Sequence, residues 1–170
     1  ITLGGKEGLA LSNGATFSAA IAALAVGDAC KLLSVASLSL AMSLEALLGV
    51  PTAFDERIHQ ARQFQGQIEI AHQVLALTQG STLLNADGRI QDAYSLRCAP
   101  QVHGAAWDAL QFIRGQIERE INASTDNPLI FHPGVALSGG NFHGEPVGMV
   151  MDFLSIAMTE GSGIAERRIF

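Results

Sequence analysis

Residues 14–48, GATFSAAIAALAVGDACKLLSVASLSLAMSLEALL, run for 35 residues without proline and carry only Asp28, Lys31 and Glu45 as charges. No other feature constrains the fold as strongly. Alanine and leucine dominate the run, and both favour helix. A helix of this length would be about 50 Å long at roughly 1.5 Å per residue. Its apolar residues are spread all round the helix, which predicts burial on most sides or a membrane span. Asp28 and Lys31 interrupt the run near its middle, and the many serines and alanines give little transfer energy per residue. The reading is therefore a buried bundle helix whose small residues let neighbours approach closely. Composition agrees. Only 15% of the chain is charged, where roughly a quarter is usual, so the chain has too little charge to cover its own surface. Other protein is expected to cover much of it.

Gly49-Val50-Pro51 ends this helix. Residues 52–63 read as a short solvent-facing helix, and 65–79 as another with Ile68, Val74 and Leu75 inward. Residues 79–89 are rich in turn formers. Residues 102–122 return to helix, with Val102, Ala106, Ala109, Ile113, Ile117 and Ile121 at steps of three and four. Residues 122–141 hold two prolines and three glycines and read as an irregular loop with a small hairpin. Residues 143–169 form a last long helix with Val147, Met151, Leu154, Met158 and Ala165 on one face. The fold class is all-α, a long-helix bundle, and residues 1–170 read as a single helical segment. The chain opens at Ile1 without methionine and closes on ERRIF without a stop signal, so both ends read as cut from a longer polypeptide.

A net charge of −6 without a basic run argues against nucleic-acid binding. Cys30 and Cys98 lack C-x-x-C spacing and fit a reducing compartment, and no signal-peptide pattern is seen, so a cytoplasmic location is expected. The histidines at 59, 72, 103, 132 and 143 make no H-E-x-x-H pair; each reads as a surface or satisfied-core residue, and no metal is expected. Ser138-Gly139-Gly140 precedes a helix, where it could receive an anion. Gly161 and Gly163 read as close-packing glycines.

Three loop stretches can carry chemistry. LSNG at 11–14 places Asn13 before the long helix, as a turn, a cap or a functional amide. IQDAYSLRCAPQ at 90–101 holds the only tyrosine, Tyr94, three residues before Arg97. A phenol serves as a general base only where a neighbouring cation favours its phenolate, and an arginine fork also suits a carboxylate; equally, the pair could pin a loop to its helices. The stretch 124–146, STDNP…SGGNFHGEP, is dense in amides and turn formers.

In this order, GLALSNG, QDAYSLRCAPQVHG, STDNPLIF and SGGNFHGEPV, separated by helical runs, resemble the histidine ammonia-lyase family, whose wider group includes phenylalanine and tyrosine ammonia-lyases and aminomutases. The resemblance implies a largely helical homotetramer built on a central bundle. It implies non-oxidative loss of ammonia from an aromatic L-amino acid, urocanate being the product from histidine. It implies a methylidene-imidazolone electrophile cyclised from Ala-Ser-Gly. On it, Asn13 matches the asparagine near that ring and the substrate amine, Tyr94 the catalytic base, and Arg97 the carboxylate anchor. Asn127 looks like a second carboxylate partner, and Gln91 and Phe142 match pocket-lining residues. In such a tetramer each pocket draws on more than one subunit. The departure is that Ala-Ser-Gly occurs nowhere in these 170 residues. The segment alone is therefore expected to be inactive. The competing readings are a phenylalanine or tyrosine lyase or aminomutase, and a helical scaffold without chemistry.

Overall fold

A computed structural model describes residues 1–170. Seven α-helices account for most of it: α1 (Glu7–Ser12), α2 (Thr16–Ala46), α3 (Glu56–Arg62), α4 (Gln65–Leu77), α5 (Tyr94–Arg97), α6 (Ala99–Glu120) and α7 (Glu145–Ile169), with a 3-10 turn at Pro51–Phe54. The hairpin expected in 122–141 is present: β1 (Leu129–Phe131) pairs antiparallel with β2 (Val135–Leu137), Ile130 opposite Ala136.

The long helix forms where the sequence places it, but its burial differs from expectation. One stripe is buried, Ala19, Ala22, Val26, Ala29, Leu33, Ser37, Leu40 and Leu44, at steps of three and four that keep one helical face inward. The opposite stripe, Phe17, Ile21, Leu24, Asp28, Lys31, Val35, Leu38 and Met42, is exposed, with Phe17 at 79% and Leu24 at 72%. The helix is apolar all round, yet this chain covers only half of it. By length and composition alone α2 is long and apolar enough to cross a membrane.

Two apolar clusters run along the buried stripe. The larger joins Ala15 to Leu33 of α2 with Ile70 of α4, Ala106, Leu110, Ile113 and Ile117 of α6, and Val147 to Ala157 of α7. The smaller joins Leu40 and Leu44 to Phe54, Ala71, Val74, Leu96 and Ala99. Each fully buried leucine or isoleucine here stabilises the fold by about 1.5–3 kcal/mol.

Helices α4 and α6 cross backbone to backbone at a pair of glycines. A Cβ on Gly104 would lie 2.5 Å from the Gln67 Cα, and one on Gly66 would collide with the Gly104 carbonyl. The Gly66 N–H donates to Asp108 Oδ1 at 2.8 Å across the crossing. Gly161 and Gly163, expected to pack closely, have nothing within 4 Å of a Cβ; the small-residue contact belongs to α4 and α6 instead.

Other expectations are corrected in detail. Residues 52–63 are not a single solvent-facing helix but a 3-10 turn followed by α3, and His59 is fully buried. Its Nε2 meets the Ala53 carbonyl at 3.1 Å and its Nδ1 the Gln67 amide nitrogen at 2.9 Å, so both ring nitrogens are satisfied in the neutral ring. In α4 the buried face is Ile70, Ala71 and Val74, while Ile68 and Leu75 are half-buried. Helix α6 begins at Ala99 with Pro100 in its first turn, where no intrahelical N–H is needed. At its far end Ile121 is exposed.

Candidate functional site

The expected site residues fall into two groups at opposite ends of α2. That helix has 31 residues, roughly 45 Å at 1.5 Å per residue.

At its N-terminal end lie Asn13, Asn127 and Phe142. Asn13 does not cap α2, whose N-cap is Ala15 without a side-chain bond; it ends α1 instead. Its Nδ2 donates to Asp126 Oδ1 at 3.2 Å. The Asn127 backbone N–H donates to the same oxygen at 2.7 Å, and Lys6 pairs with Asp126 Oδ2 at 2.5 Å. The Lys6 ammonium and these two donors hold the Asp126 carboxyl down at about 2, the lysine bond contributing most. Lys6 also donates to the Pro128 carbonyl. Gly14 has φ +77, and a Cβ there would strike the Thr125 carbonyl, so the turn after α1 and the loop before β1 are pressed together. The Gly139 N–H donates to Asn127 Oδ1 at 2.7 Å. That residue therefore serves the asparagine from inside the loop; helix α7 begins only at Glu145, so Ser138-Gly139-Gly140 forms no helix N-terminus for an anion. Phe142 is 42% exposed. Beside it Asn141 donates to the Ser124 carbonyl at 3.2 Å, and a Cβ on Gly144 would lie 3.4 Å from the Ala15 methyl.

At the C-terminal end lie Gln91, Tyr94 and Arg97. Leu48 turns left-handed at φ 54, and the Gly49 N–H closes the helix onto the Leu44 carbonyl at 2.7 Å. The coil after α4 is then tied to this end. Arg89 donates to the Leu47 carbonyl at 2.9 Å, and the Asn85 N–H bonds the Leu48 and Gly49 carbonyls. The fully buried Asp92 carboxylate accepts from the Val50 N–H at 2.6 Å and from Arg89. Tyr94 and Arg97 follow on the single turn of α5, anchored by the buried Leu96 against Leu40 and Leu44. The Arg97 guanidinium lies 4.5 Å from the Tyr94 ring centroid, a stacked cation–aromatic arrangement. Tyr94 is 71% exposed. Arg97 Nε is buried without a partner. Gln91 is exposed beside them.

Close by, His103 of α6 is fully buried and receives a hydrogen bond from Arg168 of α7 through Nε2 at 3.2 Å, leaving Nδ1 without a partner. Burial, with the Arg168 charge adding, pushes this histidine down to about 4.

Sequence reasoning missed Lys6, Asp126, Arg89, Asp92 and the His103–Arg168 pair. Asp126 sits within the quoted STDNP stretch, and a carboxylate amid loop amides was the available signal. The ties of Lys6 and Arg89 span 120 and 42 residues and have no local signature. No group of three metal-ligating side chains occurs, and both cysteines are free thiols.

The chemistry divides accordingly. One end offers oriented amides that can accept from an amine and donate to a carboxylate. The other offers a phenol and an arginine fork. Along the chain these groups are more than roughly 30 Å apart, given the helix between them.

The sequence profile of the family described as aromatic amino acid lyase matches residues 1–170. The histidine ammonia-lyase of Clostridium tetani (strain Massachusetts / E88) is 48% identical over 99% of this chain and 33% of its own length. Among solved structures, histidine ammonia-lyase from Trypanosoma cruzi superposes with a TM-score of 0.87 at 44% identity, covering 99% of this chain and 32% of that one. A tyrosine aminomutase from Streptomyces globisporus superposes with a TM-score of 0.93 at 36% identity, covering 99% and 36%. The chain thus spans about a third of the length of the curated relatives it matches.

Proposed function

Because the chain belongs to the aromatic amino acid lyase family, we propose that it is the middle third of a cytoplasmic histidine ammonia-lyase that converts L-histidine to trans-urocanate and ammonia. In this elimination the β-proton leaves to a base, the C–N bond breaks, and ammonia departs. The observation that carries the reading is the pair on α5: an exposed phenol beside a guanidinium on one helical turn. Tyr94 takes the β-proton and Arg97 grips the substrate carboxylate, and their fixed separation sets proton and anchor in register. Asn127 has its oxygen occupied by Gly139, so its NH2 remains to donate to the same carboxylate. Asn13 presents its oxygen to the substrate ammonium. Gln91 and Phe142 line the pocket.

The methylidene-imidazolone ring, formed from an Ala-Ser-Gly that these residues do not contain, supplies the electrophile that makes ammonia a better leaving group. The amide end suits such a neighbour, since the Asn13 oxygen there has no protein partner.

One copy cannot close this pocket, and the exposed stripe of α2 supports its completion by another. The residues 17, 21, 24, 28, 31, 35, 38 and 42 read with the same spacing in either direction. An antiparallel second copy would set Phe17 against Met42, Ile21 against Leu38, Leu24 against Val35, and Asp28 against Lys31. Such a two-fold contact is self-complementary, and it carries the amide end of one chain to the phenol end of the other. A homo-oligomer, a tetramer when a second such contact is added, follows from it, and α2 needs no membrane to cover it.

The test is the parent polypeptide carrying this segment, assayed with L-histidine, L-phenylalanine and L-tyrosine. Urocanate from histidine supports the reading. Turnover of phenylalanine or tyrosine alone, or formation of a β-amino acid, moves the chain to the sister lyases or aminomutases. A parent without Ala-Ser-Gly and without turnover is a scaffold. Urocanate made by the 170-residue chain alone would overturn the need for an external electrophile. For the shared pocket, Asn13→Ala and Tyr94→Phe chains, each strongly impaired, are mixed as subunits; roughly a quarter of the pockets should regain both groups. No recovery places both groups on one chain's pocket and refutes the sharing.

A further inference from the structure

The Asp126 carboxylate has a position that its own loop does not require. It is 20% exposed, and it gathers donors from three separate places: Lys6 before α1, Asn13 after α1, and the Asn127 N–H. A carboxylate accepts and does not donate when ionised. The Asn13 group facing it must therefore be the NH2, and the Asn13 oxygen is turned outward with no protein partner. Without the charge, an amide has no reason to prefer one flip over the other. Lys6 supplies the cation that keeps the carboxylate ionised and is itself fixed by the Pro128 carbonyl.

We propose that Asp126, held by Lys6, is a positioning residue that locks the Asn13 amide with its oxygen outward, so that it accepts from the substrate's ammonium. This rests on the reading of Asn13 given above, and it adds a residue to which the family motifs assign no role. The same carboxylate takes the Asn127 N–H at 2.7 Å, so one group sets the amine acceptor and the second carboxylate donor together. A carboxylate paired to lysine is also a poor rival for the substrate's own ammonium, which leaves the neutral amide oxygen as the acceptor.

The experiment is a double-mutant cycle in the parent enzyme. Asp126→Asn, nearly isosteric but uncharged, should lower kcat/KM by about 10- to 100-fold, the loss expected from a misplaced reacting partner. In an Asn13→Ala background the same substitution should cost several-fold less, because the amide it orients is gone and only its hold on Asn127 is left to lose. Lys6→Met should reproduce part of the loss, and Asp152→Asn, an exposed change on α7, should do nothing. Equal losses with and without Asn13 would overturn the proposal, since a purely structural role is additive. A second readout needs no activity: the Asn13 side-chain NH2 protons, followed by NMR, should lose their carboxylate shift in Asp126→Asn. An inactive parent whose Asn13 NH2 still shows that shift would sink the lyase reading and leave the orientation standing. A wild-type NH2 without the shift would overturn the orientation itself.

Discussion

The two ends of α2 are built differently. At the amide end the polar side chains are cross-tied within the chain: Lys6 to Asp126, Asp126 to Asn13, Gly139 to Asn127. At the phenol end the backbone is held as firmly, by Arg89, Asp92 and Leu96, but the functional groups are not. Tyr94 is exposed and Arg97 Nε is buried without an acceptor. A buried donor left unpaired costs about 1–3 kcal/mol. The difference teaches that one end carries its own organisation, whereas the other holds a frame whose functional groups are left unpaired by this chain.

The largest break in that comparison should come from Tyr94→Phe. It removes one hydroxyl from an exposed ring and should lower kcat of the parent enzyme by about 10²–10⁴-fold, the usual span for a general base, while thermal stability stays within about 0.5 kcal/mol. A large stability loss with activity kept would make the phenol a packing group. Arg97→Lys should act mainly on KM, since lysine cannot give the two-pronged bond.

The frame that both ends share is the α4–α6 crossing. Gly104→Val should destabilise by about 3 kcal/mol or more, because backbone atoms of Gln67 already fill the space a side chain would need. Gly161→Ala should be neutral or stabilise by up to about 1 kcal/mol. Urea midpoints of the two variants check this. Equal effects would mean that the crossing is looser than its geometry.

The smallest effect is a difference in acid sensitivity. His103 titrates at about 4 in the folded chain and near 6.5 when unfolded, so unfolding takes up a proton and stability falls as pH drops from 6.5 towards 4. Asp126 is depressed to about 2 from 3.8; its contribution is whole above 3.8 and is lost only as pH falls towards 2. Hydrogen-exchange protection should therefore weaken first around α6 and the end of α7, and later around Asn13. The reverse order would break the assignment of the His103–Arg168 tie to the phenol end.

Much of this was legible in the chain. The proline-free run of alanine and leucine specifies α2 to within two residues at each end, because helix propensity and period are local. The apolar steps of α6 and α7 likewise predict their inner faces. Burial all round α2 was not met, because periodicity tells that a face wants cover and not which chain supplies it. Asn13 and Tyr94 could be singled out by type and motif, but not the long ties to Lys6 and Arg89, which depend on segments that meet only after folding. Glycine pairs behave the same way: Gly66 and Gly104 matter because α4 and α6 cross there, whereas Gly161 and Gly163 look equally suitable and yet leave open space where a Cβ would sit.

The length of α2 between the two half-sites also has a genetic reading. On the proposed two-fold pairing each subunit lends its amides to its partner's phenol and its phenol to the partner's amides, so it takes part in two pockets, and a copy lacking one group silences only the pocket to which it lends that group. Beside wild type, alleles that fold normally but lack one group should leave about half of the pockets working, and pairs lacking different groups should partly rescue each other.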